Sequence, residues 1–134
     1  MKSIEKRVEK LVSEMNGHTV LVEGKKDEKA LRKAGVTSKI VLFGKSAQSV
    51  VGAVAADCRN AVLLLYDFDE EGERKEKLLR ELLAPFATVD GNLRKKFRQM
   101  FGCRTIEQLP SALKKLEEQA LKQGESKWEK LTWI

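Results

Sequence analysis

One histidine, two cysteines, two prolines and one tyrosine are all that this 134-residue sequence holds of those residue types. A single His18 gives no basis for assembling a Ser/His/Asp triad. Cys58 and Cys103 lack CxxC spacing and have only His18 to join them, which argues against a zinc cage or a disulfide framework and makes both reduced packing residues. No apolar run approaches the roughly 18 residues of a membrane span, and the opening MKSIEKRVEK alternates charges where a secretory signal needs an apolar stretch. The expectation is a soluble, cytoplasmic protein with no membrane partner. Internal repeats, low-complexity stretches and linkers are also missing. A chain of this length buries roughly two thirds of its unfolded surface, and 42% apolar residues can fill that core without disulfides or a structural metal. One domain is expected over residues 1–134.

Acidic residues thin out toward the C-terminus. Up to Asp90 there are 16 Lys and Arg against 15 Asp and Glu; beyond it, 10 against 5. The stretch 92–104 carries Arg94, Lys95, Lys96, Arg98 and Arg104 and no acid. Such a block suits a polyanion, because each neutralised phosphate releases condensed counterions; a solvated helix face is the plain alternative.

Ile4, Val8, Leu11, Val12 and Met15 recur at helical spacing, so a helix is expected over 3–15, ending near Asn16-Gly17. His18–Glu23 reads as a strand. Asp27 can cap a short helix closed by Gly35. Lys39–Phe43 is a second strand, 45–57 a small-residue helix and Ala61–Tyr66 a third, almost wholly apolar strand. Strands without polar alternation belong in a sheet covered on both faces. A helix over 70–83 stops at Pro85, before a weaker fourth strand, Phe86–Val89. This order implies a mainly parallel α/β sheet with right-handed crossovers. Helices at 92–101 and 105–123 form a helical extension over 91–134. Pro110 breaks the start of the second into a separate turn, and Thr105 with Gln108 resembles a capping box. The tail holding Trp128 and Trp133 is expected to dock on the body.

Ligands of open parallel sheets bind beyond the carboxyl ends of the strands. The first strand ends at Glu23-Gly24 and the third at Asp67-Phe68-Asp69-Glu70-Glu71-Gly72-Glu73. Positions i and i+2 of an extended segment face the same side, so Asp67 and Asp69 can share one point, with Glu71 joining from the first helical turn. Mg²⁺ takes hard oxygen ligands, often one or two carboxylates with waters and substrate phosphate. Plainer roles exist: the helix dipole favours Glu70, Glu71 and Glu73, and Asp69 can be the N-cap. Asp67 has no such structural role. If strands one and three are neighbours, Glu23 meets the pair, and a cation offsets their repulsion.

Val22-Glu23-Gly24-Lys25-Lys26-Asp27, followed about forty residues on by a strand and DFDEEGE, resembles a Toprim domain. This catalytic module is shared by topoisomerases of types IA and II, bacterial-type primases, old-family nucleases, recombination-repair proteins and a small ribonuclease that matures ribosomal RNA. The family signature is a Glu after the first strand and a DxD after the third, matched here by Glu23 and by Asp67 with Asp69 over roughly residues 18–90. DFDEEGE is especially similar to the type IA version, where a third acid stands at the position of Glu71. Gly44 falls at the family's small residue after the second strand. The resemblance implies a Rossmann-like sheet of about four mostly parallel strands between helices, with strands one and three adjacent.

It also implies Mg²⁺- or Mn²⁺-dependent phosphodiester chemistry on nucleic acid. Asp67, Asp69 and Glu71 would hold the metal, with Glu23 as general acid/base or further ligand. Tyr66, the sole tyrosine, lies in an apolar strand, so topoisomerase activity by this chain alone is not expected, and there is no room for the primases' zinc domain. A stand-alone endonuclease acting on structured RNA, RNA being favoured over DNA, is the expected function. The competing expectation is a non-catalytic RNA- or protein-binding module, and a protein partner supplying further domains fits either. Lys25, Lys45, Arg94, Lys95 and Arg98 are the candidate phosphate contacts. Leu93, Phe97, Met100 and Phe101 point the helix over 92–101 at the core, and a helical wheel leaves Arg94, Lys95 and Arg98 on its open side. Gly44-Lys45-Ser46 is no Walker A loop, since Lys39 stands where the pattern needs glycine.

Overall fold

The computed structural model describes residues 3–43, 46–56 and 60–124. Six helices and three strands alternate through most of the described chain: α1 (Ile4–Asn16), β1 (Thr19–Val22), α2 (Lys25–Lys33), β2 (Ile40–Leu42), α3 (Ala47–Ala55), β3 (Val62–Leu64), α4 (Glu70–Leu83), α5 (Gly91–Phe101), a 3₁₀ turn (Ile106–Gln108) and α6 (Leu109–Lys122). None of the helices among the described residues is long and apolar enough to cross a membrane. Lys45, Cys58, Trp128 and Trp133 lie outside the described residues.

The sheet is parallel, in the order β2-β1-β3. Successive side chains of a strand point to opposite faces, and both faces here are covered. Val20, Val22, Leu63 and Leu65 pack with α1, α2, α5, the 3₁₀ turn and α6. Leu21, Val62, Leu64 and Tyr66 pack with α3 and α4. This double cover is why β1 and β3 show no polar alternation.

The fourth strand does not form: Phe86–Val89 contributes only an isolated parallel bridge, Val62 to Val89. The Val62 amide donates to Thr88 O and the Asp90 amide to Val62 O, each at 2.8 Å, after which Asp90 caps α5 and the chain leaves the sheet. Helices form after residue 90 as expected, and they contribute to the core. Leu93, Phe97, Phe101, Ile106 and Leu109 are buried in the same cluster as β1 and β3.

Local signals did place most helix ends. Ser3 Oγ accepts from the Lys6 amide at the start of α1. Pro110 sits in the first turn of α6, leaving the preceding 3₁₀ turn as a separate element. Helix α2 begins earlier than expected: Gly24 is its N-cap, and Asp27 accepts the Gly24 amide from inside the first turn at 3.3 Å. Cys103 is buried and free, and burial pushes its thiol pKa up.

Candidate metal and nucleic-acid site

Because β1 and β3 are parallel neighbours, their carboxyl ends open on one rim of the sheet. Glu23 leaves β1 there, and the DFD segment leaves β3 there. Glu23 and α4 meet through Lys75, whose Nζ lies 2.6 Å from Glu23 Oε1 and 3.3 Å from Glu71 Oε1. Hydrogen bonding to Glu23 raises the Lys75 pKa; burial opposes the rise, and Glu71 adds to it.

Each of the two aspartates accepts one backbone amide. Asp69 is the N-cap of α4, its Oδ1 accepting the Gly72 amide at 2.8 Å. Asp67 Oδ1 accepts the Ile106 amide at 2.9 Å, and the Phe68 amide between them donates to Arg104 O at 2.8 Å. Each aspartate keeps a second carboxylate oxygen with no hydrogen-bond partner among the described residues. Gly102, at φ +60°, ends α5 in the left-handed region, where glycine carries no Cβ penalty. The turn delivers Arg104 O to the Phe68 amide and the Ile106 amide to the Asp67 carboxylate.

Gly72 is what allows α4 to start so close to Asp67. A Cβ at this position would fall 2.0 Å from Asp67 O and 2.6 Å from Asp67 C. Only a hydrogen fits there.

Arg94 stands elsewhere than the helical wheel placed it. It is 6% exposed, and its guanidinium donates to Leu64 O (3.1 Å), Tyr66 O (2.8 Å), Asp67 O (3.3 Å) and Glu73 Oε1 (2.7 Å). It also lies 4.4 Å from the Phe68 ring centre, within the range of a cation–π contact. Arg94 is therefore a structural clamp on the end of β3 and the DFD loop, and is not an open-face phosphate contact. Lys95 and Arg98 are exposed as expected, and Lys25 is exposed at the start of α2. A cleft of about 530 Å³ between α4 and α5 has Lys95, Arg98 and Phe68 on its walls. Its carboxylates Glu73 and Glu76 are paired with Arg94 and Arg80 at 2.7 and 3.8 Å, Asp90 is hydrogen-bonded to His18 at 2.8 Å, and with Lys95 and Arg98 the lining cations outnumber the carboxylates. His18 also places Nδ1 2.7 Å from Glu14 O. It belongs to this structural pair, away from the rim.

One acid that matters here was assigned only a capping role from sequence. Asp27 is 6% exposed, and its pKa is pushed up to about 6, chiefly by burial. The Gly24 amide opposes that shift, and the charges of Asp67, Glu107 and Glu23 add to it. Its place as the last residue of VEGKKD was a visible signal; its burial was not. A carboxyl whose folded pKa exceeds its unfolded value binds more protons when native, so folding stability falls as pH rises from about 4 to about 6. Asp27→Asn keeps an acceptor for Gly24 and removes this cost. Urea unfolding should find the variant more stable than wild type at pH 7.5 by about 1–3 kcal/mol, with the gap closing below pH 4. An equal gap at both pH values would remove Asp27 from the acidic group.

Whether these residues suit a divalent cation can be judged from the donors and their neighbours. All the donors are hard carboxylate oxygens, a bound ammonium already stands between two of them, and Asp27 registers their excess negative charge. Among the described residues no three His, Cys, Asp or Glu side chains stand close enough to hold an ion between them. Hard carboxylate oxygens are the donor type that Mg²⁺ takes.

No protein-family model matches the sequence. A UPF0292 protein of Pyrococcus furiosus is 38% identical over 94 residues, covering 70% of each chain. A second UPF0292 protein, from Thermococcus sibiricus, is 35% identical over 99 residues, covering 71% of this chain and 77% of its own. A solved protein structure from Aquifex aeolicus superimposes with a TM-score of 0.66 at 30% identity, over 81% of this chain and 99% of that one.

Proposed function

This chain belongs to the UPF0292 family, and we propose that it is a Toprim-type protein carrying out Mg²⁺- or Mn²⁺-dependent phosphodiester chemistry on nucleic acid in the cytoplasm, as an endonuclease acting on structured RNA. The observation that carries the reading is the adjacency of β1 and β3, which brings Glu23 to the same rim as Asp67, Asp69 and Glu71. The sequence match to the Toprim signature supports it independently.

Asp67 and Asp69 would hold the metal, with Glu71 contributing directly or through water. Such an ion, when bound, would supply charge stabilisation at the phosphoryl oxygens and activate water. Glu23 takes the proton of the attacking water or completes the ligand set. Of the expected track, Lys95 and Arg98 without Arg94 bind flanking phosphates, with Lys25 contributing from the start of α2 and Lys45 joining them. A protein partner bringing further RNA-binding surface is compatible with a chain this short.

A non-catalytic nucleic-acid or protein-binding module is the second reading. Lys75 favours it, because an ammonium already neutralises part of the carboxylate charge. A cleavage assay with purified chain, labelled hairpin RNA or single-stranded DNA, and 5 mM Mg²⁺ or Mn²⁺ (a concentration on the order of a weak divalent site's Kd) separates the two. Asp67→Asn is expected to lower cleavage at least about 100-fold. RNA binding that needs no metal and survives Asp67→Asn, with no cleavage by wild type, would establish the module instead.

A further inference from the structure

Two concavities meet at the side chains of Phe68 and Arg98. The cleft between α4 and α5 has both on its wall. So does a second cleft of about 460 Å³, bounded by Asp69 and Glu70 on one side and by Gly102, Cys103 and Arg104 on the other. Together they form one trough from Lys95 to the start of α4, where the DFD segment stands. Phe68 gives the trough a fixed apolar point: its ring lies 6.0 Å from that of Phe97, and its amide is bonded to Arg104 O.

The cations around this trough divide in two. Arg80, Arg94 and Lys96 each meet a carboxylate. Lys95, Arg98 and Arg104 are exposed and have no such partner among the described residues. Lys95 lines the first cleft, Arg98 both and Arg104 the second. Lys95 and Arg98 are three residues apart on one helix face, about 4.5 Å along the axis, and Arg104 continues the row past the turn at Gly102. Asp69 and Glu70 face the trough from α4, so an anionic chain would follow the α5 wall. Unpaired cations along a recessed groove, with an aromatic ring at its middle, are the chemistry that holds one strand of nucleic acid. Unpaired RNA segments are also the ones whose bases can splay out against an aromatic side chain.

We infer that this trough holds an unpaired strand of nucleic acid leading to the DFD segment, with Lys95, Arg98 and Arg104 on its phosphates and Phe68 against a base or sugar edge. The inference rests on the nucleic-acid reading above and adds the form of the substrate: a paired stem needs a single-stranded segment beside it. It also gives Arg104 a binding role, and it holds whether or not a metal is bound.

The test measures binding of labelled RNA to the full chain by fluorescence anisotropy, with EDTA in place of metal so that cleavage does not enter. A hairpin with a single-stranded extension of roughly eight nucleotides, inside the site size of compact strand-binding folds, should bind about tenfold tighter than the same hairpin with a blunt end. Arg104→Ala should remove about fivefold of that gain and lower the logarithmic salt slope by roughly 0.7, while blunt-hairpin binding stays the same. Lys96→Ala, whose partner is Glu14 on α1, should change neither. In wild type, ultraviolet crosslinking of 4-thiouridine placed in the extension should map to Phe68 and to residues 95–104, a readout that needs no variant to fold. Equal affinity for the two RNAs, crosslinks confined to other surfaces, or an unchanged salt slope in Arg104→Ala overturns the strand path and leaves the nucleic-acid reading standing. Competition by oligoglutamate as effective as that by unlabelled extended hairpin overturns it in favour of an acidic peptide. Lack of saturable binding to either RNA overturns the nucleic-acid reading and the path together.

Discussion

Replacing Gly72 with alanine is expected to destabilise the fold by about 3 kcal/mol or more, above the usual range for one added methyl group in a packed interior. Alanine is ordinarily the better helix former, by about 1 kcal/mol, so propensity alone predicts the opposite sign. The obstacle is backbone rather than a side chain able to turn aside. The new Cβ would lie 2.0, 2.6 and 2.9 Å from Asp67 O, C and N. Relief requires α4 to retreat from the end of β3, which breaks the Gly72 amide's bond to Asp69 and moves Asp67 off the rim. Thermal unfolding should show a loss of roughly 10 °C or more. Metal binding and any nuclease activity should fall with it, even though Gly72 offers no side chain to either. A variant as stable as wild type would mean that α4 does not approach Asp67 this closely.

The second large effect is expected at Arg94. Arg94→Ala strips donors from three carbonyl oxygens at the end of β3 and from the Glu73 carboxylate. Removing one partner of a buried charged network typically costs about 3–5 kcal/mol. Glu73 is 46% exposed and can turn to water, which places the expectation near the lower end, about 3 kcal/mol by urea unfolding. Arg94→Lys should recover little, because one ammonium cannot reproduce the planar fan of donors. Arg98→Ala, four residues on and exposed, should change stability by less than about 1 kcal/mol. It should instead flatten the salt dependence of RNA binding by roughly 0.7–0.9 in logarithmic slope. Were the two arginines to behave alike in both assays, the division between clamp and phosphate contact would be wrong.

That division marks where reading the sequence stopped working. A helical wheel ranks the residues of α5 by angle from their own apolar stripe, and Arg94 lies at the stripe's edge, beside Phe101 and away from Leu93. Which edge residues are covered depends on the neighbour. Here the neighbour is the end of β3, whose unpaired carbonyls draw a guanidinium inward. Phe86–Val89 failed as a strand for a related reason. Its composition permits a strand, but only Val89 pairs with β3 before Asp90 turns the chain into α5. Asp27 was legible as a polar residue near a helix start and illegible as a buried acid, because burial comes from what α2 packs against.

The acids themselves, and most of the elements carrying them, were already visible in the primary structure. Apolar runs of strand length, helical periodicity and punctuation by glycine and proline are local properties, and they determined an alternating α/β chain with Glu23 and the DFD segment at strand ends. Only the tertiary structure decided that β1 lies between β2 and β3, that Lys75 bridges Glu23 and Glu71, and that the chain beyond residue 90 helps build the rim. Pairing of segments some forty residues apart is settled by burying both faces of the sheet at once, and no local pattern encodes that choice.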